Sequence, residues 1–131
     1  MGMPAAKQAA KQGDKITATD QHKVQPPGGS QVSMPLPFSG ILDGGLSADV
    51  NIMGLPAATR DGTATNTPPH VPVGGTFVKP PSNRGTIVSG STTVNINGKP
   101  AARNGDTAKT CDELADQPIG QVVAAGTVNI G

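Results

Sequence analysis

Two histidines and one cysteine are the side chains of this sequence best suited to binding a metal ion: His22, His70 and Cys111. Each histidine follows the first alanine of an Ala-Ala pair by 13 residues, and the cysteine follows such an alanine by 10. Imidazole nitrogen and thiolate sulfur suit tetrahedral zinc and, less strictly, iron. One such donor from the same loop of three related units predicts a shared metal site.

The fourth ligand is not settled by the spacing. A closed structural zinc site has four ligands, whereas a catalytic site keeps one position for water. Asp112, Asp20 or a water molecule are the candidates here. The competing interpretation is that the histidines are ordinary loop residues and that Cys111 is a small buried hydrophobe. The matched positions in three units favour the metal site.

The Ala-Ala pairs belong to a repeat, Val-Asn-Ile-x-Gly-x-Pro-Ala-Ala, which is complete at residues 50–58 and 94–102. A third copy is split between the termini, with Val-Asn-Ile at 128–130 and Gly-x-Pro-Ala-Ala at 2–6. Residues 5–12 repeat Ala-Ala-Lys-Gln twice, which we interpret as a duplication that lengthens one loop. Joining end to start predicts three units closed into a ring with adjacent termini.

The predicted fold class is all-β. Alternating residues that run into Asn97-Gly98 predict a tight hairpin, because Asn and Gly tolerate the positive φ of such turns. Further hairpins are predicted around Gly90 and Gly126, whereas Asp112–Asp116 can form one helical turn at most. We therefore predict one small domain, 1–131, of short hairpins in three pseudo-symmetric repeats with long loops. Its predicted repeat segments are about 1–22, 50–70 and 94–111, closed by 127–131.

Composition limits both the core and the function. The 131 residues include 18 Gly, 13 Pro and 2 Phe but no Trp or Tyr, and 34% are hydrophobic. So thin a core needs a metal, a partner or a closed sheet. The net charge of +1 indicates neither a nucleic acid nor an anionic membrane as partner. No apolar run reaches the ~20 residues of a membrane span.

Two proline-rich segments, 31–46 and 71–81, contain six large apolar residues that are candidates for a partner surface. These are Met34, Leu36, Phe38, Ile41, Leu42 and Phe77. They either face a partner or fill the core of the domain itself. Asp14 and Asp106 can act as acid–base groups, but turn residues that accept backbone hydrogen bonds are the favoured interpretation. The sequence contains no G-x-S-x-G, H-E-x-x-H or phosphate-loop motif.

Residues Pro100-Ala101-Ala102-Arg103, within G-S-T-T-V-N-I-N-G-K-P-A-A-R-N-G-D, resemble the signature of PAAR-repeat proteins. These proteins are spike tips of contractile injection systems, including type VI secretion systems and phage-tail-like particles. The resemblance is closest over 85–131 and looser over 1–22 and 50–70. It implies a small conical β fold with zinc at its apex and its base on a trimeric spike of the VgrG type.

The family usually holds its metal with three histidines and one cysteine. His22, His70 and Cys111 match that set, and one histidine is missing. The resemblance also implies a non-enzymatic tip, one per spike trimer, that sharpens the spike for piercing a target envelope and helps to load effectors. Such a tip touches the target membrane only transiently.

We expect synthesis in the cytoplasm without a signal peptide, because the chain shows no charged-then-apolar leader and its single cysteine excludes an internal disulfide. The tip is then assembled into the particle and delivered outside the cell or into the target cell. Two other functions remain open. One is a metal-dependent hydrolase with an open zinc at the same three residues, and the other is a surface adhesin or glycan-binding module.

Overall fold

The computed structural model describes residues 7–112 and 117–131, and these two ranges form strands and turns without a helix. The thirteen strands are β1 (Lys7–Gln8), β2 (Lys15–Gln25), β3 (Val32–Gly44), β4 (Asn51–Ile52), β5 (Leu55–Pro56), β6 (Thr63–Asn66), β7 (Thr76–Phe77), β8 (Arg84–Ile87), β9 (Asn95–Ile96), β10 (Lys99–Pro100), β11 (Thr107–Lys109), β12 (Gly120–Val123) and β13 (Asn129–Ile130). The all-β prediction is confirmed for this part of the chain. Within it, no helix is long and apolar enough to cross a membrane.

Six of the strands close into an antiparallel barrel. Their order is β12-β11-β8-β6-β3-β2, and β2 pairs back with β12 to complete the circle. The short strand β7 extends the sheet from the far end of β2. The longest pairing joins β2 to β3, from Lys15 opposite Ile41 to Val24 opposite Val32. Closure leaves these six strands without a free edge over their paired lengths, which protects a sheet with a small core.

Alternation along β2 determines which of its side chains face the barrel interior. Ile16, Asp20, His22 and Val24 are buried, whereas Lys15, Thr19 and Gln21 between them are exposed. Successive side chains of a strand point to opposite faces. The same strand therefore supplies both apolar core residues and two polar residues that point inward.

Strand β3 tolerates two prolines because half of it has a neighbour on one side only. Pro35 and Pro37 lie opposite Gln21 and Thr19 of β2, while β6 pairs only with the Gly40–Gly44 half. A proline cannot donate to a sheet, so it is accepted where one strand edge is open. Most of the proline-rich segment 31–46 is thus one long strand, Val32–Gly44.

Three alanines form a closed ring of backbone hydrogen bonds around a pseudo-threefold axis. The Ala10 amide donates to the Ala102 carbonyl, Ala102 donates to Ala58, and Ala58 donates back to Ala10, each at 3.0 Å. All three alanines are fully buried.

One apolar cluster includes the ring alanines and fills the barrel, and a second, smaller cluster is formed by the alanines that precede them. The barrel core contains the ring alanines with Ile16, Phe38, Leu42, Ala64, Ile87, Ala108, Cys111, Val122 and Ala124. The smaller cluster contains Ala9, Ala57 and Ala101 with Ile52, Ile96 and Ile130. Its members are one alanine and one isoleucine from each of three equivalent hairpins, so this end of the molecule repeats the same packing three times.

The three hairpins are β4–β5, β9–β10 and the pair that β13 forms with β1. Asn97 and Gly98 both have positive φ, at 53° and 78°, so the predicted Asn-Gly hairpin is confirmed. Met53 and Gly54 adopt the same conformation, at 53° and 81°. The pairing of β1 with β13 brings the C-terminal strand beside the first residues that the structure describes.

Two details of the sequence interpretation need correction. The hairpins predicted around Gly90 and Gly126 do not form, because β8 pairs with β6 and β11, and β12 pairs with β11 and β2. The ring position of the split repeat belongs to Ala9-Ala10, and the Ala-Ala pair assigned to it at 5–6 lies outside the described residues. Alternating patterns identify strands but do not identify partners. The helical turn considered at 112–116 also falls, from 113 onward, outside the described residues.

The large apolar residues divide between core and surface. Phe38 and Leu42 are buried in the barrel, and Ile41 on the opposite face of β3 is exposed. Met34, Leu36 and Phe77 are half-buried near the far end of β2. Residues of the same strand therefore differ: some fill the core of the domain, and others are exposed and available to a partner.

Candidate metal centre

Strand β2 contributes two inward side chains to a polar cluster at one end of the barrel. Asp20 and His22 are two positions apart, so they point to the same side of the strand. Both are buried. Their neighbours across the sheet are Leu36 and Met34 of β3, which do not offer oxygen or nitrogen ligands.

His70 reaches the cluster from the segment that follows β6, and two asparagines hold it. The Asn83 side-chain oxygen accepts hydrogen bonds from the His70 backbone amide at 2.9 Å and from Asn66 Nδ2 at 3.1 Å. Asn66 Nδ2 also lies 3.3 Å from His70 Nδ1. The Asn66 oxygen accepts the Ser39 amide at 2.9 Å, so the orientation of the amide group is determined. These contacts leave Nε2 of His70 directed at Asp20.

Cys111 lies shortly after β11 and is buried against the barrel core. The hydroxyl of its neighbour Thr110 donates a hydrogen bond to Asp20 Oδ1. This bond leaves the other carboxylate oxygen, Oδ2, facing the histidines and the cysteine. Thr110 therefore positions the carboxylate without being a metal donor itself.

The four side chains of this cluster are spaced like the ligands of one metal ion. His70 Nε2 lies 3.0 Å from Asp20 Oδ2, Cys111 Sγ lies 3.4 Å from the same oxygen, and Cys111 Sγ lies 3.7 Å from His22 Nε2. All four donor atoms lie within 4.8 Å of one another. Ligand atoms around tetrahedral zinc, with bonds of about 2.0–2.3 Å, are about 3.3–3.8 Å apart. The three measured spacings lie close to this range and the widest spacing exceeds it, so the residues can hold a metal ion after a small inward movement of the side chains.

Comparison with known proteins places the chain in a family. A family model described as PAAR motif matches residues 38–115 and again residues 78–131. The two matches together span more than half of the chain. The chain belongs to the PAAR-motif family. None of the curated proteins compared with the chain matches it.

The PAAR-motif family is a structural family of spike tips in contractile injection systems. Its fold is a small conical β domain, and the closed barrel with three hairpins agrees with that description. A buried cluster of one Asp, two His and one Cys that can hold a metal ion is consistent with metal binding in PAAR proteins.

The sequence prediction and the structure can be compared residue by residue. His22, His70 and Cys111 lie together, as the matched spacing to the alanine ring predicts; their role as ligands stays a prediction. Of the two carboxylates considered for the fourth position, Asp20 is in the cluster. Asp112 instead accepts a hydrogen bond from the Gln21 amide at 2.6 Å. The available signal for Asp20 was the Asp-x-His spacing, which would place Asp20 and His22 on one face of a strand, but no strand was predicted there.

Electrostatics in this PAAR protein favour a protonated thiol when no metal is bound. Burial raises the pKa of Cys111 to about 12, and the negative charge of Asp20 acts in the same direction. Only the thiolate binds a metal ion, so the ion must displace the thiol proton. The same cation would cancel the repulsion between the thiolate and the Asp20 carboxylate.

The other two aspartates have structural roles in turns. Asp14 Oδ2 accepts the Lys11 amide at 3.0 Å, and Asp106 Oδ2 accepts the Arg103 amide at 2.6 Å. Each also forms an ion pair with the same basic residue. The interpretation of these two residues as turn-forming aspartates is confirmed, and the arginine of the Pro-Ala-Ala-Arg motif belongs to that turn.

Proposed function

We propose that this protein is a non-enzymatic, metal-stabilised tip that caps the trimeric spike of a contractile injection system and sharpens it for piercing a target envelope. The observation that carries the proposal is the closed ring of hydrogen bonds through Ala10, Ala58 and Ala102. A single chain with threefold backbone symmetry can match a true trimer. One tip per spike is the stoichiometry that such a match requires.

We assign the metal as zinc, held by His22, His70 and Cys111 with Asp20 as the fourth donor. Two neutral imidazoles, a thiolate and a carboxylate suit zinc and would leave the occupied site without net charge. A neutral site is the least costly one to bury. Iron(II) is the second choice for the same donors. When bound, the ion would cross-link β2 to the segments that follow β6 and β11.

The donor set supports a structural role and not a hydrolytic one. Four protein ligands close a tetrahedral site, whereas catalytic zinc keeps a position for water. Asp112, which lies beside the cluster, accepts a hydrogen bond from the Gln21 amide at 2.6 Å, and Asp14 and Asp106 are engaged in turns. No feature of the described residues favours an adhesin or a glycan-binding module over a spike tip.

The hairpin end is the proposed docking surface for a VgrG-type trimer. Exposed apolar residues lie on or beside two of the three hairpins: Val50, Met53, Leu55 and Val128. Val50 and Val128 hold the same position of the Val-Asn-Ile repeat, and exposed apolar side chains suit the core of an interface. The opposite end, which holds the metal centre, then points away from the spike and toward the target. Effector cargo would travel with the same particle, which is assembled after synthesis in the cytoplasm.

The test is binding to a purified trimeric spike of the VgrG type, measured by native mass spectrometry. We expect a complex of one tip with three spike chains. Val50→Asp, at the hairpin end, should weaken binding at least about tenfold, because it buries a charge in the interface. Val71→Asp, at an exposed valine of the metal end, is the matched control and should bind normally. Equal loss in both variants, or no complex with the unaltered protein, would contradict the proposal.

A further inference from the structure

Among the residues that the structure describes, a cavity borders the cysteine and the first histidine of the metal centre. This cavity, of about 160 Å³, is lined by His22, Cys111, Asp112 and residues 79–82. Neither Asp20 nor His70 lines it. Two of the four donor residues are thus reached from the cavity, and two lie behind them.

All four donor residues are almost fully buried, so exposure alone does not indicate a route: Asp20 is 0%, His22 1% and Cys111 5% exposed, and the His70 side chain is 2% exposed. Packed residues lie on the side of His70. Phe38 packs against the His70 ring with ring centres 6.1 Å apart. A second cavity, of about 270 Å³, borders His70, but its walls are largely apolar and touch neither His22 nor Cys111.

Size and charge make the first cavity suitable for a hydrated cation. A water molecule occupies about 30 Å³ in the liquid, so the cavity accommodates about five. That is enough for an ion that still carries part of its hydration shell. Of the charged residues that line the cavity, the Asp112 carboxylate attracts a cation and the Lys79 ammonium repels it. Pro80 and Pro81 restrict the backbone of that segment.

We propose that this cavity is the entrance through which a divalent metal ion reaches and leaves the centre. His22 and Cys111 meet the ion first, and His70 and Asp20 complete its coordination. Residues 79–82 therefore set the rate of metal exchange without setting the affinity. The inference rests on the proposed metal site, and it adds the path by which the ion enters and the residues that control the rate of exchange.

The test uses metal-free protein loaded with Co²⁺, whose thiolate absorption band reports binding, followed by release to a chelator. Ser82→Trp places a large ring in the cavity and should slow both uptake and release by at least about tenfold, with the equilibrium affinity unchanged. Val71→Trp, at an exposed residue of the second cavity, is the matched control and should leave both rates unchanged. Lys79→Glu should speed uptake several-fold at low salt and less at high salt.

The outcomes separate the route from the metal site. Unaltered rates in Ser82→Trp, or slowing in Val71→Trp alone, would overturn the proposed entrance. Release that accelerates in step with low concentrations of urea would also overturn it, because exchange would then require unfolding. If the unaltered protein takes up no Co²⁺ and no Zn²⁺, the metal site of the proposed function fails instead.

Discussion

The two ends of this molecule are stabilised in different ways. At the hairpin end, three near-identical backbone units exchange hydrogen bonds around the ring of Ala10, Ala58 and Ala102. At the metal end, four different side chains meet without symmetry, and two of them come from the single strand β2. The hairpin end is thus held by repeated main-chain hydrogen bonds, whereas the metal end is held by contacts between side chains that do not repeat.

The three repeat units differ from one another in the strand that follows the alanine ring. Ile16, Ala64 and Ala108 occupy the second position after equivalent turns, and all three are buried in the barrel core. The strands that carry them are unequal, since β2 has 11 residues, β6 has 4 and β11 has 3. Only β2 is long enough to bring two donors to the far end of the barrel. Unequal strand lengths therefore convert a symmetric base into an asymmetric metal centre.

Removing the metal should cause the largest loss of stability, and the loss should arise at the metal end. Chelation is expected to lower the midpoint of thermal unfolding by about 15 °C. Structural zinc contributes ~10–16 kcal/mol to the folding of small peptides. Loss of even about a third of that free energy would shift the midpoint by this much in a domain of this size. Differential scanning calorimetry with metal analysis measures it. His22→Ala should unfold like the chelated protein, and chelator should then change nothing. An unchanged midpoint after verified metal removal would show that the ion does not stabilise this end.

The second prediction breaks the hairpin end and leaves the metal end intact. Ala102→Val adds two methyl groups at a fully buried ring position, where overpacking costs about 1–3 kcal/mol. We expect a lower midpoint of urea unfolding with unchanged metal content. Ala48→Val is the control, since Ala48 is exposed. Loss of metal from Ala102→Val would mean that the two ends are not independent.

The hairpin end could be predicted from the sequence more completely than the metal end. Residues that recur in register, such as Ile52 and Ile96, take equivalent places because the same local turn chemistry is repeated. The partners of β8 and β12 were not predictable from alternation, because a barrel pairs strands that are distant in sequence. Asp20 was one of three candidates for the fourth ligand. Only the structure shows that its side chain lies on the inward face of β2, which selects it over Asp112. Neither Asn66 nor Thr110 could be assigned, because their roles depend on contacts across the barrel.

The third prediction tests the protonation of the metal end. The pKa of Cys111 is raised to about 12 in the metal-free protein, so the thiol remains protonated through the neutral range. Between about pH 7.5 and 8.5 each ion bound must therefore displace one thiol proton. Metal affinity should therefore rise about tenfold over that interval, as measured by competition with a chelator of known pH dependence. Cys111→His should lose this slope. A flat profile in the unaltered protein would show that the thiolate exists before metal arrives.

The smallest expected effect compares two copies of the same turn. Met53 and Asn97 both have φ of 53°, but only asparagine tolerates that conformation well. Met53→Asn should stabilise the protein by about 0.5–1 kcal/mol in urea unfolding, because it relieves this cost in the β4–β5 hairpin. The exchange has a cost, since Met53 Sδ lies 3.5 Å from the Thr127 amide, a contact that asparagine must replace. Asn97→Met is the reverse control and should destabilise by more, because Asn97 also bonds the Asp49 carboxylate at 2.7 Å. If Met53→Asn destabilises instead, the sulfur contact matters more than the backbone conformation, and the three hairpins are less equivalent than their backbones indicate.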